Sequence, residues 1–215
     1  ARAVGEQMMN VTRRTWMAIA GAVAVATLAA GCTRPSPVKE AFVLEPPAPP
    51  AVAKPQAASL RIGTITVAAP FRGRSFVVRQ GDLKFETDYY HEFLVAPAAN
   101  LGEATARALV AAKVFSTVTP AGVASDADWA LDAFVDALYG DVRETGKPVA
   151  VIGITYYLRS NETDFGVPVW SRRYERRMSF AAGDAGAYAA ALNAGLGEIL
   201  AELAKDLAAV SLPKR

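Results

Sequence analysis

Residues 149–180 read VAVIGITYYLRSNETDFGVPVWSRRYERRMSF and predict a β-hairpin. The first arm, Val149 to Leu158, is dominated by β-branched and aromatic residues, which are typical of strands. A turn is predicted over 161–166, and the second arm runs from Val167 to Phe180 and pairs back onto the first.

The second arm alternates between apolar and charged side chains. One face carries Trp170, Tyr174, Met178 and Phe180, and the other carries Arg173, Glu175 and Arg177. Such alternation is typical of a sheet that buries one face. The hairpin therefore predicts a second layer that covers the apolar face.

Two helices are predicted to supply that layer. Ala185 to Val210 carries apolar residues at steps of three and four, and the acidic Asp184 before it suits a helix N-terminus. The other helix follows Asn100, a predicted N-cap that forms a capping box with Glu103, and ends near Lys113.

The remaining apolar segments predict further strands. They cover Ser59–Ala68, Ser75–Arg79, Phe85–Phe93 and Val114–Thr119. Trp129–Val142 fits either a helix or a strand, because periodicity alone does not decide between them. The whole pattern predicts a single α+β domain over 59–212, with a mixed, largely antiparallel sheet and two main helices packed on it.

The segment Thr12 to Cys32 predicts a secretory signal peptide. Arg13 and Arg14 precede an uncharged apolar run, and the segment ends at Leu28-Ala29-Ala30-Gly31-Cys32. This ending resembles the bacterial lipobox, in which the cysteine is acylated and becomes the mature N-terminus. We predict a signal peptide over 1–32, with residues 1–7 upstream of the true start, and lipidation at Cys32.

A proline-rich tether is predicted between the signal and the domain, over residues 33–58. Proline fixes φ and removes a hydrogen-bond donor, so such a segment favours an extended linker. Residues 41–45, AFVLE, could instead form a short edge strand, in which case 46–58 is a loop after it and only 33–40 is a free tether.

The sequence offers no constellation for catalysis, a metal or a cofactor. His91 is the one histidine and Cys32 the one cysteine, so neither a triad of the usual kind nor a zinc site is expected. A formal net charge of +2 gives no reason to expect a nucleic-acid partner. We predict a non-enzyme that binds neither metal nor cofactor.

Two sets of residues are candidates for contacts with partners. Arginine and tyrosine are enriched where proteins meet, and this favours a contact surface formed by Arg74, Arg79, Tyr89, Tyr90 and Phe93. Arg173 and Arg177 could contact an anionic partner or lipid headgroup, or could form a solvated face balanced by Glu175.

The order of these motifs resembles the ABC-type transport auxiliary lipoproteins, the PqiC-like family. The resemblance rests on the lipobox, on Phe42-Val43-Leu44-Glu45-Pro46, on Gly73-Arg74-Ser75-Phe76-Val77-Val78-Arg79, and on the closing hairpin and helix. Many members have a tryptophan where this chain has Phe93. The resemblance implies a mixed sheet, a strand over Trp129–Val142, and a non-catalytic role beside an MCE-domain protein and an ABC permease and ATPase in lipid transport.

Localisation follows from the predicted lipid anchor. Two or three acyl chains hold a protein stably at a membrane, and Thr33 after the cysteine favours the outer membrane, on its periplasmic face, over the inner one. The sequence leaves open a homo-oligomer within the complex. It also leaves open a lipoprotein that assists outer-membrane assembly or envelope linkage, and a lipid-tethered periplasmic hydrolase.

Overall fold

A computed structural model describes residues 38–161 and 167–213 of the chain. From Lys39 onward, these residues belong to one compact unit. The predicted signal peptide with Cys32, and residues 162–166 of the hairpin turn, lie outside the described residues.

Eight strands and two α-helices make up the described fold, which confirms the predicted α+β class. They are β1 (Glu40–Phe42), β2 (Gln56–Val67), a 3₁₀ turn (Ala69–Phe71), β3 (Ser75–Arg79), β4 (Phe85–Phe93), α1 (Pro97–Ala111), β5 (Phe115–Thr119), β6 (Trp129–Asp141), β7 (Val149–Ser160), β8 (Trp170–Ser179) and α2 (Ala185–Ala209).

Strand β6 is the centre of one mixed sheet. It pairs antiparallel with β7 along its length, and β8 pairs antiparallel with β7, which confirms the predicted hairpin. On its other side β6 pairs in parallel with β2 and then with β3. Strand β4 joins β3 antiparallel, while β1 and β5 add parallel edges to β4 and β2. The two longest ladders are antiparallel.

A bulge in β6 explains why its periodicity was ambiguous. Pairing passes from Val135 with Ile154 to Ala137 with Gly153, so the register shifts by one residue between them. Val135 before the bulge and Leu138 after it both belong to the buried core. Because a bulge inserts a residue, the apolar positions change parity along the strand. The strand implied by the family resemblance is confirmed.

Both helices cover the same core. Helix α1 packs on β2 and β5, and α2 packs on β7 and β8. The α2 stripe of Leu192, Leu196, Ile199 and Leu203 is fully buried. Two tyrosine hydroxyls of this core have partners: the Tyr156 hydroxyl lies 3.0 Å from Thr105 Oγ1, and the Tyr174 hydroxyl donates to Asp206 at 2.5 Å.

The sequence predicts the start of α2 correctly and the start of α1 incorrectly. Asp184 caps α2, since its Oδ1 accepts from the Ala187 amide at 2.8 Å. The N-cap predicted at Asn100 is wrong, because α1 begins three residues earlier at Pro97. Proline suits the first helical position, where its missing N–H would be unsatisfied anyway.

Asn100 instead binds the proline-rich segment to the domain. Its buried side chain accepts from the Leu44 amide at 2.8 Å and donates to the Leu44 carbonyl at 3.1 Å. Leu44 is fully buried. Farther along, the Val52 amide donates to Ala112 O at 2.8 Å.

Residues 40–58 therefore pack on the domain and do not form a free tether, in keeping with the alternative of a short strand followed by a loop. This segment contains β1, which is shorter than the strand allowed over 41–45, and it ends in the first residues of β2. The sequence does not predict this packing, because the proline content favours a linker. The groups that bind the segment to the domain, the Asn100 side chain and Ala112 O, are distant in sequence. Residues 33–37 lie outside the described part of the chain.

Candidate functional site

A large bulge interrupts β4 where it pairs with β3. Ser75 pairs with Glu92, but the next pair is Val77 with Thr87, so residues 88–91 oppose a single residue, Phe76. Bulges re-aim side chains and are common next to functional sites. Here residues 88–91 of β4 lie outside the regular pairing with β3.

Asp88 holds the bulge in shape. Its Oδ1 accepts from the amides of Tyr90 at 2.8 Å and His91 at 3.2 Å, and its Oδ2 lies 2.7 Å from His91 Nδ1. Burial works to raise the pKa of Asp88, but the hydrogen bonds from His91 and from the two amides outweigh it, so that the pKa lies below its usual value. The carboxylate is therefore charged at neutral pH.

Two tyrosines stand exposed on this bulge. Tyr89 is 70% exposed and Tyr90 44% exposed. Their rings are 5.2 Å apart and nearly perpendicular, and Lys39 Nζ lies 4.8 Å from the centroid of the Tyr89 ring. Large exposed aromatic side chains next to cations are typical of contact surfaces.

Arg74 is connected to Tyr89 indirectly, through Glu92 and Lys39. Its Nε donates to Phe93 O at 2.8 Å and its guanidinium bridges to Glu92. Glu92 also pairs with Lys39 at 3.7 Å. We define the bulge surface as Lys39, Arg74, Tyr89 and Tyr90.

The other two predicted contact residues lie elsewhere. Arg79 is at the far end of the hairpin opposite Phe85, with its guanidinium 5.5 Å from that ring. Phe93 is 3% exposed and packs edge-on against Phe76, with centroids 4.8 Å apart. The placement of Phe93 on a contact surface is therefore wrong, because the bulge returns its side chain to the core.

A pocket of about 350 Å³ opens next to the bulge, at the N-terminal end of α2. This volume is at the lower end of the range for small-molecule sites. Its lining is mainly apolar and comes from four parts of the chain: β3 with Phe76 and Val78, β4, the end of β6 with Gly140 and Val142, and the start of α2 with Phe180 and Tyr188. Asp88, His91 and Asp184 add the polar groups.

Tyr188 is the exceptional side chain of this pocket. It is 5% exposed, and its hydroxyl is the one buried side-chain polar atom in the described part of the chain that has no hydrogen-bond partner. Burial raises the pKa of Tyr188 above its usual value, so the hydroxyl stays neutral. Its ring contacts Phe76 and Phe180, with centroids 4.9 and 5.2 Å away.

Arg173 and Arg177 project from the sheet face opposite the helices, and both form ion pairs with carboxylates there. Arg173 pairs with Asp136 and Glu175, each at 2.7 Å, and Arg177 lies 3.2 Å from Asp141 Oδ2. Their charge is thus balanced within the chain, by more carboxylates than the Glu175 expected from the sequence. A contact to an anionic partner stays a prediction for these two residues.

The described residues hold no group of three or more side chains suited to bind a metal ion. Within the same residues, no helix is both long enough and apolar enough to cross a membrane.

Sequence reasoning missed the pocket and the bulge. The pocket brings together residues from four distant segments, which no local pattern links. For the bulge there was a signal: an aspartate whose side chain can accept from amides two and three residues on favours a local turn. The aromatic residues around Asp88 favour a regular strand, so the sequence analysis did not predict the turn.

No family model and no curated protein matches this sequence. Solved structures do share its fold. A Xanthomonas campestris protein of the DUF330 family aligns with a TM-score of 0.68 at 19% identity, over 77% of this chain and 92% of its own. A second crystal structure, of an uncharacterized protein, aligns with a TM-score of 0.58 at 13% identity, over 75% of this chain and 99% of its own. At these identities the likeness shows a common fold.

Proposed function

We propose that the chain is a lipid-anchored, non-catalytic auxiliary subunit of an ABC and MCE-type lipid transport system, facing the periplasm and attached through Cys32 to the outer membrane. The fold of a DUF330 protein supports this, since that family is PqiC-like and fits the resemblance found in the sequence. The lipobox-like ending at Cys32 supports the anchor.

The observation that carries the proposal is the bulge surface. Asp88 accepts from the backbone amides of Tyr90 and His91 and contacts the His91 ring, which orders the backbone that carries the two exposed tyrosines. A backbone that is already ordered loses little conformational entropy on binding. A surface of this kind serves recognition of a protein partner, and the resemblance names an MCE-domain protein as that partner.

The test is a binding assay between this protein and the MCE-domain proteins of the same organism. We expect the double variant Tyr89→Ala, Tyr90→Ala to weaken binding at least tenfold, because central tyrosines carry a large share of binding energy at interfaces. Leu83→Ala is the matched control: Leu83 is 97% exposed in the β3–β4 turn and outside the bulge surface.

Circular dichroism of each variant shows that it is folded. Equal binding by the double variant and the wild type would place the interface elsewhere. A wild type that binds no MCE-domain protein would overturn the transport role itself.

A further inference from the structure

The turn between β3 and β4, residues 80–84, carries an apolar side chain at its tip. Leu83 is 97% exposed there, and Phe85, the first residue of β4, is 41% exposed. Val142, whose amide donates to Arg79 O at 3.0 Å, is also exposed beside the base of the turn. This end of the sheet therefore presents three large apolar side chains to the surroundings.

Hydrogen bonds within the turn hold it in one shape. The amides of Gln80 and Gly81 donate to Lys84 O at 2.9 and 3.3 Å. The Arg79 guanidinium donates to Gly81 O at 3.2 Å and to Asp82 O at 2.9 Å. The backbone that carries Leu83 is thus bonded on both sides of that residue.

A second arginine joins the turn to the end of β6. Arg143 Nη1 donates to Asp82 Oδ1 at 2.8 Å, while the same guanidinium binds Asp141. An isolated exposed leucine needs no explanation, because single apolar residues are normal on protein surfaces. A leucine on a turn that two arginines hold is different, since an ordered tip loses little conformational entropy when it enters an apolar phase.

The charges around the tip suit a lipid surface. The two carboxylates of residues 80–86 are both paired, Asp82 with Arg143 at 2.8 Å and Glu86 with Lys84 at 2.9 Å. Lys84 is adjacent to Leu83, and a lysine can bury its stem at an interface while its ammonium group stays among the headgroups.

The path of the chain brings its start and the turn to the same side of the sheet. Strand β1 pairs parallel with β4, with Glu40 opposite His91. Going back along β4 from His91 leads to Phe85 and then to the turn. Because the strands are parallel, β1 also starts on the side of the sheet where the turn lies.

An anchor at Cys32 has the reach that this arrangement requires. Cys32 lies seven residues before Lys39, and an extended chain of that length spans at most about 25 Å. The part of β4 from His91 back to Phe85 spans at most about 20 Å. The two lengths are similar, so a lipid on Cys32 and the tip of the turn can meet one bilayer at the same time.

We propose that the β3–β4 turn is a second membrane contact, which inserts Leu83 into the interfacial region of the bilayer that holds the chain. The proposal rests on the anchor at Cys32 and concerns the orientation of the domain rather than its protein partner. One leucine buries too little apolar area to hold a protein at a membrane alone. Its effect is to orient a domain that the anchor already holds there.

The test fixes the protein to vesicles through a chemical link. The protein is residues 32–215, which contain the whole compact unit from Lys39 onward. Cys32, the one cysteine of the chain, is coupled to a maleimide lipid in vesicles of phosphatidylcholine and phosphatidylglycerol. Tryptophan fluorescence of Leu83→Trp is then measured with and without brominated lipid, and the signal of the unsubstituted protein is subtracted.

Val123→Trp is the matched control. Val123 is exposed and lies in the loop before β6, at the opposite end of that strand from Val142. We expect brominated lipid to quench Leu83→Trp at least about twofold more strongly than Val123→Trp, because a side chain in the interfacial region lies close to the acyl chains.

A second measurement tests the native leucine, since tryptophan itself favours the membrane interface. Hydrogen exchange of the amides of residues 82–84 is compared for the linked protein on vesicles and the unlinked protein in solution. We expect exchange to be about tenfold slower on vesicles, from the burial of one leucine, and Leu83→Asp to lose this difference.

Two results would overturn the proposal. They are equal quenching at positions 83 and 123, which would leave a protein as the partner of the tip, and equal exchange of the turn on vesicles and in solution. Because the link is chemical, both results are obtained whether or not cells acylate Cys32. A lack of acylation in cells would overturn the proposed anchor instead.

Discussion

At the scale of single residues, the fold buries the carboxylate of Asp141. It is 5% exposed and is the one charged residue there that is buried. The Arg143 guanidinium donates to both of its oxygens at 2.9 and 2.8 Å, the Arg143 amide donates to Oδ1 at 3.3 Å, and Arg177 adds a fourth bond at 3.2 Å. The bonds from Arg143 first, and then those from Arg177, hold the pKa of Asp141 far below its usual value despite burial.

This makes folding stability depend on pH. A carboxylate whose pKa is lower in the folded state stabilises fully above its unfolded pKa of about 3.9. That contribution falls as the pH drops from there towards the folded-state pKa. We expect Asp141→Asn to lower the free energy of unfolding by about 2 kcal/mol at pH 7, as for hydrogen bonds to charged groups.

Urea unfolding of the wild type and Asp141→Asn at pH 7 and pH 3 measures this effect. The difference between the two proteins should be smaller at pH 3. A difference that stays constant would mean that the variant disturbs packing rather than a charged network. Glu144→Gln, at an exposed side chain paired only with Lys147, is the control and should change stability little at either pH.

Individual residues were also the scale at which sequence reasoning was weakest. The boundaries of β4 were predicted correctly, yet the bulge at 88–91 altered which of its side chains are exposed. Phe93 and the tyrosines therefore fall on different sides, although all three were assigned to one surface. Asn100 has the composition of an N-cap, but its amide serves a segment 56 residues away.

At the scale of elements, the distance between α2 and the sheet depends on a glycine. A Cβ at Gly195 would lie 3.1 Å from Met178 Cγ, 3.2 Å from Arg176 Cβ and 3.3 Å from Ile152 Cγ2. These atoms belong to β8 and β7, whose positions the long antiparallel ladder fixes. A Cβ at Gly195 would therefore be tighter than ordinary contact with all three atoms, and these neighbours or the helix would have to shift by a few tenths of an ångström.

We therefore expect opposite effects from two alanine substitutions in helices. Gly102→Ala in α1 should stabilise by about 0.5–1 kcal/mol through helix propensity, since its nearest neighbour, Ile65 Cγ1, would be at an ordinary 3.4 Å. Gly195→Ala should destabilise by about 1 kcal/mol, because overpacking costs about 1–3 kcal/mol and exceeds that gain.

Urea unfolding of both variants measures these changes in the free energy of unfolding. Stabilisation by Gly195→Ala would show that α2 can move away from β7 and β8 without loss. Destabilisation by Gly102→Ala would show that α1, not α2, is the tighter contact with the sheet.

Elements were also what the sequence predicted best. The bounds of β3 and β4 matched, and both arms of the hairpin and both helices were found, because each carries a local pattern of period two or near 3.6. The ambiguous element was β6, in which a bulge breaks the period. The packing of residues 40–58 on the helices depends on long-range hydrogen bonds, which leave no periodic trace.

At the scale of the whole molecule, the bulge surface and the pocket lie next to one another on the domain, since Asp88 and His91 belong to the bulge and line the pocket. Strand β1 begins two residues after the start of the described chain and pairs with β4 immediately beside the bulge. The described chain thus enters the domain next to the bulge surface, to which Lys39 itself belongs. We propose that the domain presents a recognition surface and is held at a membrane by an anchor at Cys32.

The most direct test of that account is co-purification of the full chain from its own membranes. A C-terminal tag, a mild detergent and identification of the partners by mass spectrometry are sufficient, with Cys32→Ser as the unanchored control. We expect an MCE-domain protein and an ABC ATPase with the wild type, and the loss of both with the control. Recovery of outer-membrane assembly factors instead, or of the protein alone with hydrolytic activity, would contradict the account.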